Sequence, residues 1–322
     1  MDLEAKLKKL DKRLLKLWQI IYQVEKEIGE QKLPPKLKSK FKFLTKQEIL
    51  IIKNRILGQE THFNIFRAQR EQPTLKLKNK EKSCSFCQPL TLTPEDTYGR
   101  IENDYALSAS NLVKVSGHHS LIIFKNHHQP KLKEIEGAFN LAFNWFNQPS
   151  LPQQKILIWN YLWRAGASIN HPHFQVLALT SLPSKLVLLK QTLQSYKQQY
   201  QNDYLVDLFN LHQALGLAKK VGGLRVIISL TPFKEKEIIF FSSNWHQDIH
   251  QLAKLIINYQ KTGIESFNLF LFYSGDFYPL GFLVDRGSLA KLNCDLGTLE
   301  LYAFSVVSFN PFNLASQLFK NL

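Results

Sequence analysis

Hydrophobic residues recur every three or four positions through the first thirty residues, with lysine and glutamate between them. This period is that of an amphipathic α-helix, so it predicts one long helix over 2–30, ended by Pro34 and Pro35. A second, short helix is predicted over 45–58. Residues 1–58 are therefore expected to form a basic helical N-terminal extension. It would pack on the body of the protein or in a dimer interface, or reach a nucleic acid or membrane.

From residue 60 short apolar runs alternate with turn residues, a pattern typical of β-strands, and three longer segments have helical spacing. The predicted strands are 61–66, 105–107, 112–115, 120–124, 155–162, 174–179, 224–230, 237–241, 267–273 and 281–285. The predicted helices are 132–147, 183–218 and 248–262, with an exposed Lys-rich loop at 70–83. The helix–strand order after residue 220 loosely repeats that of 100–180, which indicates a degenerate internal duplication. The pattern predicts an α+β fold with mostly antiparallel sheet.

The composition places the chain among globular proteins. Of its 322 residues 44% are hydrophobic and 21% charged, no apolar run could span a bilayer, and the charged N-terminus does not fit a secretory signal. Three cysteines, an odd and low number, argue for a reducing compartment, so a cytoplasmic location is expected. The net charge of +15 fits an anionic partner such as nucleic acid, an anionic membrane surface or a phosphorylated small molecule.

The segment with the clearest chemical content is GASINHPHFQ, residues 166–175, at the start of the predicted strand 174–179. Because side chains two positions apart share one face of a strand, His171, His173 and Gln175 are predicted to point the same way. Two imidazoles and an amide on one face would make a poor core. The pattern therefore favours a functional site.

Cys84 and Cys87 form a C-x-x-C pair. This spacing can hold two thiolates on one tetrahedral ion, and it also occurs in redox pairs. Because zinc takes about four ligands, two histidines would have to complete the set. The candidates are one of His118, His119, His127 and His128, and one of His171 and His173.

These residues resemble the galactose-1-phosphate uridylyltransferase family, the nucleotidyltransferase branch of the histidine-triad superfamily. Residues 166–175 are similar to the family's active-site motif, and the similarity continues in chain order through about 60–180. The other matching segments are Arg67 with Arg70, Cys84 with Cys87, Glu102 to Ala106, Phe124 to Glu134, and Asn160. The resemblance implies two histidine-triad-like domains, a catalytic one at 59–182 and a degenerate one at 183–322.

The resemblance also implies roles for individual residues. His173 would be the nucleophile, and Gln175 would hydrogen-bond the transferred phosphoryl group. The ligands of a structural zinc ion would be Cys84, Cys87, His128 and His171. The nucleotide- and phosphate-binding residues would be Arg67, Arg70, Asn103, Asp104, Asn160, Gly166 and Ser168.

By the same resemblance the protein would move a nucleoside monophosphate, through a nucleotidyl-histidine, between a nucleotide sugar and a sugar 1-phosphate, as in galactose metabolism. Hydrolases of the superfamily carry a third histidine where this chain has Gln175, and an amide cannot deliver a proton as a general acid. This favours transfer to a phosphate-type acceptor over hydrolysis. The donor base stays open among uracil, adenine and guanine, and the family implies a homodimer.

Three alternatives remain at this point. A nucleotide-sugar phosphorylase, or a relative of diadenosine tetraphosphate phosphorylase, would use inorganic phosphate as the acceptor. A non-enzymatic nucleic-acid-binding protein would account for the positive charge, although no nucleic-acid-binding signature is present, so a nucleic-acid partner is not expected. A thiol redox protein would use Cys84 and Cys87.

Overall fold

The computed structural model describes residues 2–69, 84–274, 277–291 and 294–322. The predicted loop 70–83, and with it Arg70, lies outside the described residues. The strands are β1 (Tyr22–Glu30), β2 (Lys46–Asn54), β3 (Gln59–Phe63), β4 (Ala106–Ser110), β5 (His118–Phe124), β6 (Gln154–Tyr161), β7 (His173–Leu179), β8 (Ala218–Val221), β9 (Leu224–Ile228), β10 (Ile238–Phe241), β11 (Phe267–Ser274), β12 (Phe277–Asp285) and β13 (Ser305–Val307). The α-helices are α1 (Leu3–Leu7), α2 (Lys12–Ile21), α3 (Pro35–Phe41), α4 (Pro89–Leu92), α5 (Leu132–Phe146), α6 (Ser184–Tyr200), α7 (Tyr204–Leu215), α8 (Ile249–Lys261), α9 (Thr298–Tyr302) and α10 (Pro311–Phe319).

The N-terminal residues do not form the predicted long helix. Helix α1 ends at Leu7 and α2 covers Lys12–Ile21, and the chain then continues as β1, which pairs antiparallel with β2 along its whole length. Val24 and Ile28 are four residues apart, a spacing that fits one side of a helix and equally one face of a strand. The prediction of helix over 2–30 is therefore wrong for the last nine residues. They form a strand because they pair with β2, although their spacing also fits a helix.

The helix predicted over 45–58 is also wrong, and strand β2 occupies most of that range. The centre of β2, Ile49 to Ile52, is rich in β-branched side chains, which fit a pleated sheet better than a helix. The chain then turns into β3 through Gly58, whose φ of +63° lies in the left-handed region that favours glycine.

The nine-stranded sheet contains one strand order twice. Its order is β4-β5-β7-β6-β11-β12-β10-β9-β8. The first half therefore has the order β4-β5-β7-β6, and the second half, taken toward the centre of the sheet, has the same order, β9-β10-β12-β11. The two halves meet at the β6–β11 pair. In each half a helix, α5 or α8, connects the second strand to the third in chain order. A smaller sheet, in the order β1-β2-β3-β13, stands beside it. The α+β class with mostly antiparallel sheets is confirmed, while the domain limits at residues 58 and 182 stay predictions.

Two further segments differ from expectation. Residues 112–115 are not a strand but part of the β4–β5 loop, where Leu112, Val113 and Val115 are exposed. The helix predicted over 183–218 is interrupted between α6 and α7, because Asp203 accepts from the backbone N–H groups at the start of α7 and so begins a new helix there.

Helix α5 covers one face of the first half of the large sheet. The ring of Phe139 on α5 lies 4.9 Å from that of Phe174 on β7, and the Trp159 ring on β6 lies 4.9 Å from the same phenylalanine. All three side chains are buried. Residues that alternate with Trp159 and Phe174 therefore point to the opposite face of the sheet.

None of the helices in the described ranges is both long and apolar enough to cross a lipid bilayer.

Candidate active site and metal-binding cluster

Strand β7 presents His173 and Gln175 on the face of the large sheet that is opposite α5. Phe174, between them, points into the core. In the ladder His173 lies opposite Ile123 of β5, and Gln175 lies opposite Ile158 of β6. The two polar side chains thus share one face and are framed by apolar neighbours.

The imidazole of His173 has a defined tautomer. Its Nδ1 lies 2.8 Å from the backbone carbonyl oxygen of His171, and a carbonyl can only accept, so Nδ1 carries the proton. Burial lowers the pKa of His173, which keeps the ring neutral near pH 7. In a neutral ring protonated on Nδ1, the Nε2 atom keeps its lone pair. This nitrogen can act as a nucleophile.

An apolar wall stands beside His173. The ring of Phe86, from the Cys84–Cys87 turn, lies 5.0 Å from the imidazole in an edge-to-face arrangement. Phe86 packs in a buried cluster with Leu107, Leu121 and Ile123, among others. The wall excludes water from one side of the His173 ring.

Gln175 is oriented by His119, a contact that the sequence did not predict. The backbone N–H of Val115 donates to His119 Nδ1 at 3.2 Å, so the proton of the neutral ring is on Nε2. Nε2 lies 2.9 Å from Gln175 Oε1 and donates to it, because the other neighbour of this nitrogen, Asn111 Nδ2 at 3.0 Å, cannot accept. Burial lowers the pKa of His119, which favours this neutral ring. With its oxygen engaged, Gln175 keeps its NH₂ group for an anionic partner.

Four side chains meet at one end of this site: Cys84, Cys87, His127 and His171. Cys87 Sγ lies 3.2 Å from His127 Nδ1 and 3.6 Å from His171 Nδ1, and Cys84 Sγ lies 3.6 Å from His171 Nδ1. Neighbouring ligands of a tetrahedral zinc ion, with Zn–S of about 2.3 Å and Zn–N of about 2.0 Å, are about 3.5 Å apart. The donor set therefore fits zinc in both chemistry and spacing.

His171 is prepared for metal binding by its backbone contact. It is buried, and its Nε2 donates to the carbonyl oxygen of Phe124 at 2.6 Å. This bond leaves Nδ1 as the unprotonated nitrogen, and Nδ1 is the atom that faces the two thiols. Such a second bond on a ligand histidine fixes the tautomer and the ring orientation.

The structure places His127 in this cluster, where the sequence pointed to His128. The His128 Nε2 atom instead lies 3.1 Å from a carboxylate oxygen of Glu134, at the start of α5. The two histidines follow the end of β5 in a turn, where adjacent side chains leave the backbone in different directions. Spacing along the chain could not tell them apart.

Three further predicted residues lie on β6 and on the β6–β7 loop, residues 162–172. Asn160 is two residues beyond Ile158 on β6, just as His173 is two residues before Gln175 on β7, so both lie on the site face. In the loop Gly166 has a φ of +92°, a conformation that favours glycine, and Ser168 is exposed. Asn160, Gly166 and Ser168 therefore lie on the strand beside β7 and on the loop that leads into it.

The other described candidates, Arg67, Asn103 and Asp104, have no contact with His173 or Gln175 among the hydrogen bonds and ion pairs of the described residues. Arg67 approaches Glu300 at 3.8 Å. The Asn103 side chain donates to the Gly137 carbonyl and accepts from its own turn, and Asp104 is exposed.

Comparison with known proteins identifies the fold. No protein-family model matches the sequence, and no curated protein matches it. Among solved structures, the chain is similar to an ADP-glucose phosphorylase from Arabidopsis thaliana with bound ADP-glucose, at 15% identity and a TM-score of 0.62, over 83% of this chain and 97% of that one. A galt-like protein from Arabidopsis thaliana is similar at 16% identity and a TM-score of 0.61, over 84% and 99% of the two chains. A uridylyltransferase is similar at 12% identity and a TM-score of 0.56, over 83% and 96%. The protein therefore has the fold that these three solved structures share, as the resemblance of residues 166–175 implied.

Proposed function

We propose that the protein is a nucleotidyl-transferring enzyme. His173 would take a nucleoside monophosphate from a nucleotide sugar and pass it to a phosphate-bearing acceptor. The observation that carries this proposal is the hydrogen bond from His173 Nδ1 to the His171 carbonyl, which makes Nε2 of a neutral imidazole the nucleophile. The similar structures support the substrate class, since they include enzymes named for ADP-glucose and for a uridylyl group.

The reaction proceeds by two displacements at the α-phosphorus. In the first, His173 Nε2 forms a bond to phosphorus while the bond to the leaving oxygen breaks, and the sugar phosphate departs with the electron pair. In the second, a phosphate oxygen of the acceptor attacks phosphorus, and Nε2 leaves with its electrons. Neither step requires a proton, because both the leaving group and the acceptor are phosphates. The work of the protein is positioning and charge stabilisation.

Gln175 suits this chemistry because it donates hydrogen bonds without transferring protons. Held at Oε1 by His119, it directs its NH₂ group to the phosphoryl oxygens. Water as an acceptor would need a general base, which an amide cannot supply. The site therefore favours a phosphate acceptor, either a sugar 1-phosphate or inorganic phosphate.

Zinc would be held by Cys84, Cys87, His127 and His171 in a structural site, since four protein ligands leave no position for a substrate. It would tie the Cys84–Cys87 turn to the residue that precedes Pro172 and His173. The turn also carries Phe86, the apolar wall beside His173. The four residues would thus hold the nucleophile and the wall at a fixed separation.

The test is covalent labelling of the purified protein. ADP-glucose, UDP-glucose and GDP-glucose, each radiolabelled on the α-phosphate, are incubated separately with the protein. We expect at least one to leave a label that is stable in base and labile in acid, as expected of a phosphorus–nitrogen bond to histidine. Chasing the labelled protein with glucose 1-phosphate or with inorganic phosphate then identifies the acceptor by which product is released.

Two variants decide the assignment. His173→Ala should take up no label, whereas His250→Ala, which replaces an exposed histidine paired with Glu136, should label as the wild type does. Absence of label from all three donors, or equal labelling of His173→Ala, would refute the proposal.

A further inference from the structure

Asn160 is held by a side chain from the second half of the large sheet. Strand β11 pairs with β6, and Asn268 lies directly opposite Asn160. The Nδ2 group of Asn268 donates to Asn160 Oδ1 at 2.7 Å. Because the oxygen of Asn160 is engaged, its own NH₂ group is directed away from β11, toward the β7 side where His173 lies.

The same amide also holds the β6–β7 loop. Asn268 Nδ2 donates a second hydrogen bond, to the carbonyl oxygen of Ala165 at 2.9 Å. Ala165 directly precedes Gly166, where the backbone takes its left-handed turn. Both hydrogens of one NH₂ group are thus used, one for the side chain beside the nucleophile and one for the loop.

Asn268 is fixed in turn by a charged pair. Its Oδ1 accepts from Arg286 Nη1, and the Nε and Nη2 atoms of Arg286 hold the two carboxylate oxygens of Asp295 at 2.6 and 2.9 Å. Burial acts to raise the pKa of Asp295, but the hydrogen bonds and the positive charge of Arg286, together with the charge of Lys234, lower it by more, so the pair is charged. Since Arg286 can only donate, the atom of Asn268 that faces it must be the oxygen.

We propose that Asn268 is a positioning residue for nucleotidyl transfer, which sets the amide of Asn160 beside His173 and holds the turn at Ala165. This inference rests on the proposed function. It also gives the degenerate half of the sheet a role, because that half supplies the hydrogen-bonded series Asn268–Arg286–Asp295. The donors and acceptors of this series are fixed by the arginine, and they decide which atom of the Asn160 amide faces the phosphoryl group.

The deciding variant is Asn268→Asp. An aspartate keeps the size of the side chain and its pairing with Arg286, but it replaces the donating nitrogen with an acceptor. Asn160 would then turn its NH₂ group toward position 268 and present its oxygen to the phosphoryl oxygens, which repel it. At a saturating nucleotide sugar we expect the rate of His173 labelling per folded molecule to fall at least about tenfold. A merely structural role would lower the melting temperature and leave the labelling rate of the folded fraction unchanged.

Asn310→Asp is the matched control. Asn310 is a half-buried asparagine whose Oδ1 caps α10, and an aspartate oxygen caps a helix equally well, so this variant should label at the wild-type rate.

A double-mutant cycle with Asn160→Ala tests the route of action. If Asn268 acts through Asn160, the double variant loses less than the product of the two single losses. If Asn268→Asp does not fold, Asn268→Ala takes its place in the same cycle with Asn160→Ala. This inference would be overturned, and the proposed function would stand, if Asn268→Asp labels as fast as the wild type. The same holds if the losses of rate in the two single variants simply multiply in the double variant. A wild-type protein that does not label overturns both.

Discussion

At the scale of single residues, His127 and His128 are neighbours in the chain with different partners. His127 Nδ1 lies 3.2 Å from Cys87 Sγ, whereas His128 pairs with Glu134. We expect His127→Ala to lose its zinc on dialysis against a mild chelator and His128→Ala to keep about one ion per chain. Metal content by mass spectrometry checks this, with Cys84→Ser as the positive control. Zinc retained in His127→Ala but lost from His128→Ala would reverse the assignment.

The same pair shows how far the sequence determines the site. The face shared by His173 and Gln175 could be predicted because a strand has a period of two. A turn has no such period, so the ligand histidine could not be chosen from spacing alone. His119 was missed for a related reason: its link to Gln175 joins two strands, and only their register, His119 opposite Leu177, brings the two side chains together.

At the scale of elements, the sequence was most informative where the period is unambiguous. Helices α5 and α8 and strands β6, β7 and β11 lie within a residue or two of the predicted ranges. Strand β1 was mistaken for helix because Val24 and Ile28 fit both periods, and its partner β2 settles the choice. Local spacing cannot report a pairing that depends on another segment.

Gly281 is a position in β12 where packing, not backbone conformation, requires glycine. A Cβ there would meet the ring of Phe240 and the side chain of Leu271, both buried. We expect Gly281→Ala to lower the free energy of unfolding by about 1–3 kcal/mol, since the ring has no space to move. Urea unfolding measures this difference. Gly117→Ala, where a Cβ meets no neighbouring atom, is the control and should change stability by less than about 0.5 kcal/mol. Equal stability of the two variants would show that Phe240 can move.

At the scale of the whole molecule, the small sheet is joined to the large one through buried hydrogen bonds. Tyr22, the first residue of β1, donates from its hydroxyl to His212 Nε2 on α7 at 2.8 Å, and His212 Nδ1 donates to the carbonyl of Ile228 on β9 at 3.0 Å. Thr61 of β3 donates to the carbonyl of Pro232. His212 therefore connects three elements, and in its neutral ring Nδ1 donates while Nε2 accepts.

This arrangement predicts how stability depends on pH. Burial lowers the pKa of His212 to about 3, while in the unfolded chain it is about 6.5. Between these values the unfolded state binds one more proton than the folded state, so the free energy of unfolding falls as the pH falls below about 6.5. From pH 7 to pH 5 the titration of His212 should lower the free energy of unfolding by about 2 kcal/mol.

The variant His212→Gln tests this. It should be less stable than the wild type at pH 7, because Tyr22 and Ile228 lose well-placed partners, yet it should lack this part of the pH dependence. Urea unfolding at both pH values measures the difference, with His250→Gln, at an exposed histidine, as the matched control. Parallel pH profiles for the wild type and His212→Gln would show that the buried ring takes up its proton without unfolding.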